Sequence, residues 1–272
     1  MTFDLFEPLP EAPSLQMLGV GACVLHCFAR SHAGALLAGF DAVTAQAPLR
    51  HLVVPGGHTM SVAMSNCGSL GWVSDARGYR YTPCDPLSGR PWPVMPAMWI
   101  DLATTAAAQA GYANFKPDAC LINDYAPGAK MGLHQDRDER DLSQPIVSVS
   151  LGLPAVFLFG GLKRTDKSQR VRLVHGDVVV WGGPARLAFH GVAPLAESVA
   201  PLAESVAPMA ESVAPMAESV APMAESVAPM AEYVAPLAES VAPLAESVSP
   251  MADGMQAAWG KRRINLTFRS AG

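Results

Sequence analysis

His134-Gln135-Asp136, a histidine far downstream, and the run Arg263-Ile264-Asn265-Leu266-Thr267-Phe268-Arg269 are the residues of this chain best suited to act together. Two imidazoles and one carboxylate can occupy one face of an octahedral Fe(II) and leave three positions open for a chelating co-substrate and O2. Guanidinium groups suit a dicarboxylate such as 2-oxoglutarate, which they grip through paired, charge-assisted bonds. His134 and Asp136 are two apart, so on a strand both side chains point to one face. His-x-Asp is also a common surface pair, and by itself it does not define a metal site. Two candidates compete for the third ligand. His175 sits in the turn-like His175-Gly176-Asp177, whereas His190 follows Leu187-Ala188-Phe189 and is expected to end an inward-facing strand; His190 is the preferred choice.

In the C-terminal run, Arg263, Asn265, Thr267 and Arg269 alternate with Ile264, Leu266 and Phe268. A strand there has one apolar face and one face with two guanidiniums, an amide and a hydroxyl. Such a face can bind an anion or simply meet solvent. Asn123 and Tyr125 share parity a little upstream of His134, so both can hydrogen-bond a co-substrate from one strand face.

Positioning these groups requires β structure. Ile146–Leu151, Val171–Val174 and Asp177–Trp181 read as strands, separated by glycine turns at Gly160-Gly161, Gly176 and Gly182-Gly183. Helical spacing is confined to Ser31–Ala45, with Leu36, Leu37, Phe40 and Val43 on one face, and to the alanine-rich Met98–Ala110, stopped by Gly111. The glycine-rich, aromatic-rich stretch from Val53 to Trp92 predicts short hairpins. The fold class is mainly β with flanking helices (α+β), as a sandwich or jelly roll.

Residues 193 to 253 break this pattern. Ala193-Pro194-Leu195-Ala196-Glu197-Ser198-Val199 recurs with a period of seven, varied only by Leu/Met exchange and Tyr233. A proline in every period argues against a coiled coil, since each would cost a helix interior about 3 kcal/mol. The segment reads as a low-complexity insert, largely disordered, and either a passenger or an interaction module. Lengthening a loop from ~20 to ~70 residues adds only about 1 kcal/mol of closure entropy, so activity can survive it. One dioxygenase-type domain is expected over 1–192 and 254–272, with the insert between.

The formal charge of −5 follows from that segment. Nine of the 24 acids fall there with no lysine or arginine, leaving 15 acids against 19 bases in the rest of the chain. A mildly basic body is compatible with a polyanionic partner. Five scattered cysteines with no CxxC spacing argue against a disulfide framework or a structural zinc site. The N-terminus lacks the basic end and apolar run of a signal peptide, and no apolar stretch approaches ~18 residues. A cytoplasmic monomer with no membrane partner is expected.

At these residues the chain resembles the AlkB family of Fe(II)/2-oxoglutarate-dependent nucleic-acid dioxygenases. The resemblance is carried by Pro55-Gly56-Gly57, Thr59 to Met64, Leu70-Gly71-Trp72, Pro117 to Asn123, Tyr125 to Lys130, Leu133 to Asp136, Pro145 to Pro154, Phe159 to Arg164, His175 to Gly183 and Asn265 to Arg269. It implies a double-stranded β-helix, with His134, Asp136 and His190 on Fe(II). It also implies that Asn123, Tyr125, Arg263, Asn265 and Arg269 hold 2-oxoglutarate, with Asp124 in the same segment. Arg263 would take the distal carboxylate, and Arg269 would lie near the metal-chelating end. An N-terminal nucleotide-recognition lid is implied over about 50–92. Trp72 would stack the damaged base against His134, Tyr79, Arg80 and Tyr81 would line the strand path, and Asp138 and Arg164 would meet the base edge. The implied reaction uses Fe(II), 2-oxoglutarate and O2 to demethylate N-alkylated bases such as 1-methyladenine and 3-methylcytosine in DNA, single- or double-stranded, with RNA as a second substrate. Two departures stand out: His58 replaces a lid tyrosine, and Asp124 replaces a basic residue. The rival readings are an oxygenase acting on a protein or small molecule, and a non-catalytic scaffold with the repeat as its binding module.

Overall fold

The computed structural model describes residues 12–196 and 261–272. Most of the seven-residue repeat therefore lies outside the described residues, as does the expectation that it is disordered. No helix among the described residues is long and apolar enough to cross a membrane.

Strand β1 is Ser14–Gly19, β2 Ala22–His26, β3 Arg50–Val53, β4 Thr59–Gly68, β5 Gly71–Asp75 and β6 Gly78–Thr82. The series continues with β7 Ala119–Tyr125, β8 Met131–His134, β9 Ile146–Gly152, β10 Ala155–Phe159, β11 Gln169–Leu173, β12 Val178–Trp181, β13 His190–Val192 and β14 Arg263–Arg269. Helices α1 (Ala33–Gln46) and α2 (Ala97–Gln109) lie close to the spans predicted from spacing. The α1 residues chosen from that spacing, Leu36, Leu37, Phe40 and Val43, are all buried.

Two antiparallel sheets carry the molecule. The larger runs β1-β2-β12-β9-β14-β7-β4-β3 and the smaller β11-β10-β13-β8. From β7 to β14 the chain alternates between them: β7, β9, β12 and β14 belong to the large sheet, and β8, β10, β11 and β13 to the small one. That interleaving is the double-stranded β-helix, so the jelly-roll expectation holds. Strands β9 and β12 of the large sheet are buried on both faces, which is why they read as near-continuous apolar runs. Behind the sheet, Trp99, Leu102, Ala103 and Phe40 of the helices pack on Val147, Val149, Ile264, Leu266 and Phe268. In front, Tyr125, Ile146, Phe157, Phe159 and Trp181 fill the space between the sheets.

The hairpin-rich stretch divides. β3 and β4 extend the large sheet, β4 pairing with β7 from Ala63↔Asp124 to Gly68↔Ala119, whereas β5 and β6 form a separate two-stranded sheet. The two strands are held close to the core by the Asn66 side chain, which donates to the Trp72 carbonyl and accepts from the Trp72 amide at 2.9 and 3.0 Å.

Candidate active site

The pocket lies between the two sheets. Asn123 and Tyr125 of β7, Ser148 of β9, Trp181 of β12 and Arg263, Asn265, Thr267 and Arg269 of β14 line it from the large sheet. His134 and Met131 of β8, Phe157 of β10 and His190 of β13 line it from the small one. The alternation read in the last strand is therefore its true pleat, with the polar set facing the pocket and Ile264, Leu266 and Phe268 facing the helices.

His134 and His190 sit directly opposite each other in the β8–β13 pairing, with ring centroids 4.4 Å apart. Asp136 joins them: its Oδ1 is 3.6 Å from His134 Nε2 and its Oδ2 3.7 Å from His190 Nε2. The strand-parity argument does not account for this, because β8 ends at His134 and Asp136 lies beyond it. Its position comes instead from tertiary bonds. Arg186 Nη1 donates to the Asp136 carbonyl at 2.7 Å, and Gln135 Nε2 donates to the Leu187 carbonyl at 2.6 Å. A second correction concerns His190, which opens its strand rather than ending one. Leu187, Ala188 and Phe189 follow the short helical turn Gly183–Ala185 and precede the strand.

Both imidazoles present Nε2 to the same space. His134 Nδ1 is 2.9 Å from the Gly132 carbonyl and His190 Nδ1 is 3.0 Å from the Ala188 carbonyl. A carbonyl only accepts, so in each neutral ring Nδ1 carries the proton and Nε2 keeps its lone pair. Burial pushes His190 down to about 4, with the neighbouring His134 adding to the effect, so it is neutral near pH 7. Burial works the other way on Asp136, but Arg269 and the two histidines outweigh it and hold the carboxyl well below its usual range. Arg269 donates to Asp136 Oδ2 from Nη2 at 2.5 Å and from Nε at 3.1 Å. The result is two imidazole nitrogens and one carboxylate on one side of a common point, a set that can hold a divalent metal.

Arg263 stands apart from that cluster. It is 2% exposed, its Nη2 donates to Ser150 Oγ at 2.9 Å, and its guanidinium lies over the Tyr125 ring at 5.1 Å. Its Nε and Nη1 have no hydrogen-bond partner, and neither does the buried Oδ1 of Asn123. Asn265, by contrast, is satisfied within the protein. It donates to Ser148 Oγ and the Val149 carbonyl at 2.7 and 3.0 Å, and accepts from Thr267 and Asn123. Asp124 occupies the opposite strand face and pairs with Arg262.

In the two-stranded sheet, Trp72 of β5 stacks on Tyr79 of β6 with centroids 5.5 Å apart and planes 12° from parallel. The Trp72 indole donates to Asp138 at 2.8 Å. Arg164 donates both Nη groups to the Leu133 carbonyl at 2.8 Å, and Arg80 pairs with Asp75. Tyr81 donates to Glu139 at 2.7 Å. Glu139 is buried and also bonds Arg186 at 2.9 Å and lies 3.3 Å from Arg269 Nε. Glu139 and Arg186 escaped the sequence reading, since a charged residue in a polar loop gives no sign of burial. Ser148 and Ser150 left a sign that could have been used: two hydroxyls at period two in an otherwise apolar strand. His175, the rival third ligand, lies away from the pocket and accepts from the Gly152 amide at 3.0 Å.

A two-sheet jelly roll with this donor set between its sheets defines a class. Residues 21–269 match the 2OG-Fe(II) oxygenase superfamily, whose members use Fe(II), 2-oxoglutarate and O2. Within that superfamily the chain belongs to the AlkB family, and it is an Fe(II)/2-oxoglutarate-dependent dioxygenase. The alpha-ketoglutarate-dependent dioxygenase AlkB of Salmonella typhimurium is 57% identical over 192 residues, 71% of this chain and 88% of that protein. AlkB of Escherichia coli K12 is 56% identical with the same coverage. The solved structure of OsALKBH1 superposes with a TM-score of 0.65 at 24% identity, covering 94% of this chain and 99% of that chain, and shows the shared fold.

Proposed function

We propose that this enzyme removes N-methyl groups from the Watson–Crick edge of damaged bases, as in 1-methyladenine and 3-methylcytosine. The substrate strand is DNA, with RNA as a second substrate, and the biological role is repair of alkylation damage. One observation carries the site assignment: a two-histidine, one-carboxylate donor set shares its pocket with a fully buried arginine that has two unpaired nitrogens and no carboxylate of its own.

The residues fit both groups that the family uses. His134, Asp136 and His190 would hold Fe(II), with the Nδ1–carbonyl bonds fixing the ring tautomers. Arg263 would grip the distal carboxylate of 2-oxoglutarate, because a buried guanidinium with open donors lacks only an anion. Asn123, Tyr125 and Asn265 would complete that wall, and Arg269 would steady the chelating end through Asp136. When bound, iron, 2-oxoglutarate and O2 supply the oxidation, in which the N-methyl carbon gains a hydroxyl while the co-substrate becomes succinate and CO2. The hydroxymethyl base then breaks its C–N bond: the hydroxyl gives up its proton to solvent as formaldehyde forms, and the bonding pair returns to the ring nitrogen, which carries no hydrogen in unmodified adenine or cytosine.

The protein's part is placement. Trp72 and Tyr79 supply an aromatic surface at the mouth for a base removed from its stack. Asp138, held by the Trp72 indole, offers its remaining acceptor capacity to an exocyclic amine, and Arg164 lines the same approach. Phe157, Trp181 and Tyr125 keep bulk water from the reacting carbon. On this reading β5 and β6 are the moving part of the 50–92 lid. Residues 193–253 are an insert in one dioxygenase domain, and the enzyme works as a cytoplasmic monomer. None of its five cysteines forms a disulfide, which suits a reducing compartment.

The test is formaldehyde release from a single-stranded oligonucleotide carrying 1-methyladenine, with Fe(II), 2-oxoglutarate and ascorbate. Wild type is run beside His134→Ala, on DNA and on RNA. Release by wild type alone is the expected result. Succinate formation that methylated oligonucleotide does not stimulate would reject the nucleic-acid substrate.

A further inference from the structure

One ion pair next to the pocket, a buried carboxylate with a partly exposed arginine, has no part in the proposed chemistry. Asp124 lies on β7 between Asn123 and Tyr125, so the pleat turns its carboxylate away from the pocket, onto the face that carries Cys120 and Ile122. That side chain is 4% exposed, and Arg262 donates to its Oδ2. Its Oδ1 has no hydrogen-bond partner. A buried carboxylate stripped of its cation is strongly destabilising, so Asp124 can stay buried only while Arg262 stays in place. The register puts Asp124 opposite Ile264, which makes Arg262 its diagonal neighbour on the same face. Arg262 is itself tied to the sheet, since its carbonyl accepts from the Leu153 amide at 3.0 Å.

We infer that Asp124 and Arg262 form a register clamp that positions Arg263 for the co-substrate. The inference rests on the reading that Arg263 grips 2-oxoglutarate. β13 ends at Val192 and β14 begins only at Arg263, so no tight turn fixes where the last strand starts. A slip of one residue would turn Ile264 into the pocket and Arg263 out of it, because strand side chains alternate faces. Backbone pairing tolerates such a slip and the clamp does not: only the register seen here sets the residue before Arg263 against the Asp124 carboxylate. Arg263 is then paired with Tyr125 on one side and Gly152 on the other, with its guanidinium over the Tyr125 ring.

The test uses the full chain with Asp124→Asn, Arg262→Met and the charge swap Asp124→Arg/Arg262→Asp. Two quantities are measured: 2-oxoglutarate affinity of the Mn(II)-loaded protein by calorimetry, and KM and kcat in formaldehyde release. Each single variant is expected to weaken 2-oxoglutarate binding and raise its KM about tenfold with kcat changed less than about twofold, and the swap to recover most of the loss. A merely structural defect lowers the amount of active enzyme and leaves KM alone. Asp124→Asn needs no buried charge, so it carries the test if Arg262→Met does not fold. Unchanged 2-oxoglutarate affinity in Asp124→Asn, or a swap no better than the singles, overturns the clamp. Arg263→Met separates the two readings. If it binds 2-oxoglutarate as wild type does, the arginine assignment fails and the clamp with it. If it loses binding while Asp124→Asn keeps it, only the clamp fails.

Discussion

Arg263 is buried with two of its three nitrogens unpaired, and burial pulls its basicity down. A charge taken out of water with no counter-ion is a standing loss of stability, recovered only when an anion enters. Two outcomes follow. Replacing it in Arg263→Met should leave the ligand-free protein as stable as wild type or more so, while abolishing 2-oxoglutarate binding. In wild type, 2-oxoglutarate at a hundred times its dissociation constant should add about 2.7 kcal/mol of stability. Thermal melts with and without 2-oxoglutarate check both. His175 gives the pH prediction. Burial, reinforced by Arg30, pushes it below its ordinary value, and its Nδ1 accepts from the Gly152 amide. The folded protein therefore binds this proton less readily than the unfolded chain. Stability from this group is complete above about pH 6.5 and falls as the pH drops from there toward the lowered folded value. Denaturant midpoints between pH 7.5 and 5 should decline, and His175→Gln, which keeps an acceptor for the amide, should flatten the decline. Residue types and spacing nominated His134, Asp136 and Arg263 and left His190 in competition with His175; the structure brings His134, Asp136 and His190 together. Parity put Asn123 and Tyr125 on one strand face and Asp124 on the other, but it could not show that this other face buries Asp124 against Arg262.

The elements that matter most are β8 and β13, since they set the distance between the two imidazoles. Gly191 lies between His190 and Val192, where the β8–β13 register shifts. A Cβ added at Gly191 would meet the Met131 carbonyl oxygen at 2.7 Å and Gly132 at 3.1 Å, and both are backbone. Nothing there can rotate aside, so Gly191→Ala must move β13 away from β8 and part His190 from His134. At least a tenfold loss of Mn(II) affinity is expected, about 1.4 kcal/mol, with little change in far-ultraviolet circular dichroism. Wild-type affinity in that variant would mean that the strand spacing does not govern the site. Sequence patterning found β9 and β12 from their β-branched runs, buried on both faces, and β14 from its polar and apolar alternation. It misplaced the strand at His190 because the apolar Leu187-Ala188-Phe189 leads out of a helical turn into the strand and is not part of it.

At the scale of the molecule, the seven-residue repeat falls between β13 and β14, and the described residues that flank 197–260 are both bonded near one end of β7. Leu195 exchanges backbone bonds with Gly128 and Ala129, just past β7, and Arg263 pairs with Tyr125 at the end of β7. A linker of ~20 residues in place of 197–260 should therefore close the same gap, lowering closure entropy by about 1 kcal/mol. The shortened protein is expected to keep its KM for 2-oxoglutarate and its formaldehyde yield within about twofold of wild type. A large rise in KM would show that the repeat helps to seat the last strand. The jelly roll was legible because strand and turn signals alternate without intervening helices. The extension of the large sheet by β3 and β4 was not legible, since which hairpin joins which edge depends on long-range pairing.

The Trp181 ring lies 4.8 Å from that of His190 and is almost wholly buried. It is one of five tryptophans in the chain. An indole that close to a coordinating imidazole is an intrinsic optical gauge of occupancy. Loading the three ligands with a paramagnetic ion should shorten the excited-state lifetime of a single emitter, and Trp181→Phe should silence that signal without emptying the site. Metal loading could then be followed in the unlabelled protein, in real time and without turnover.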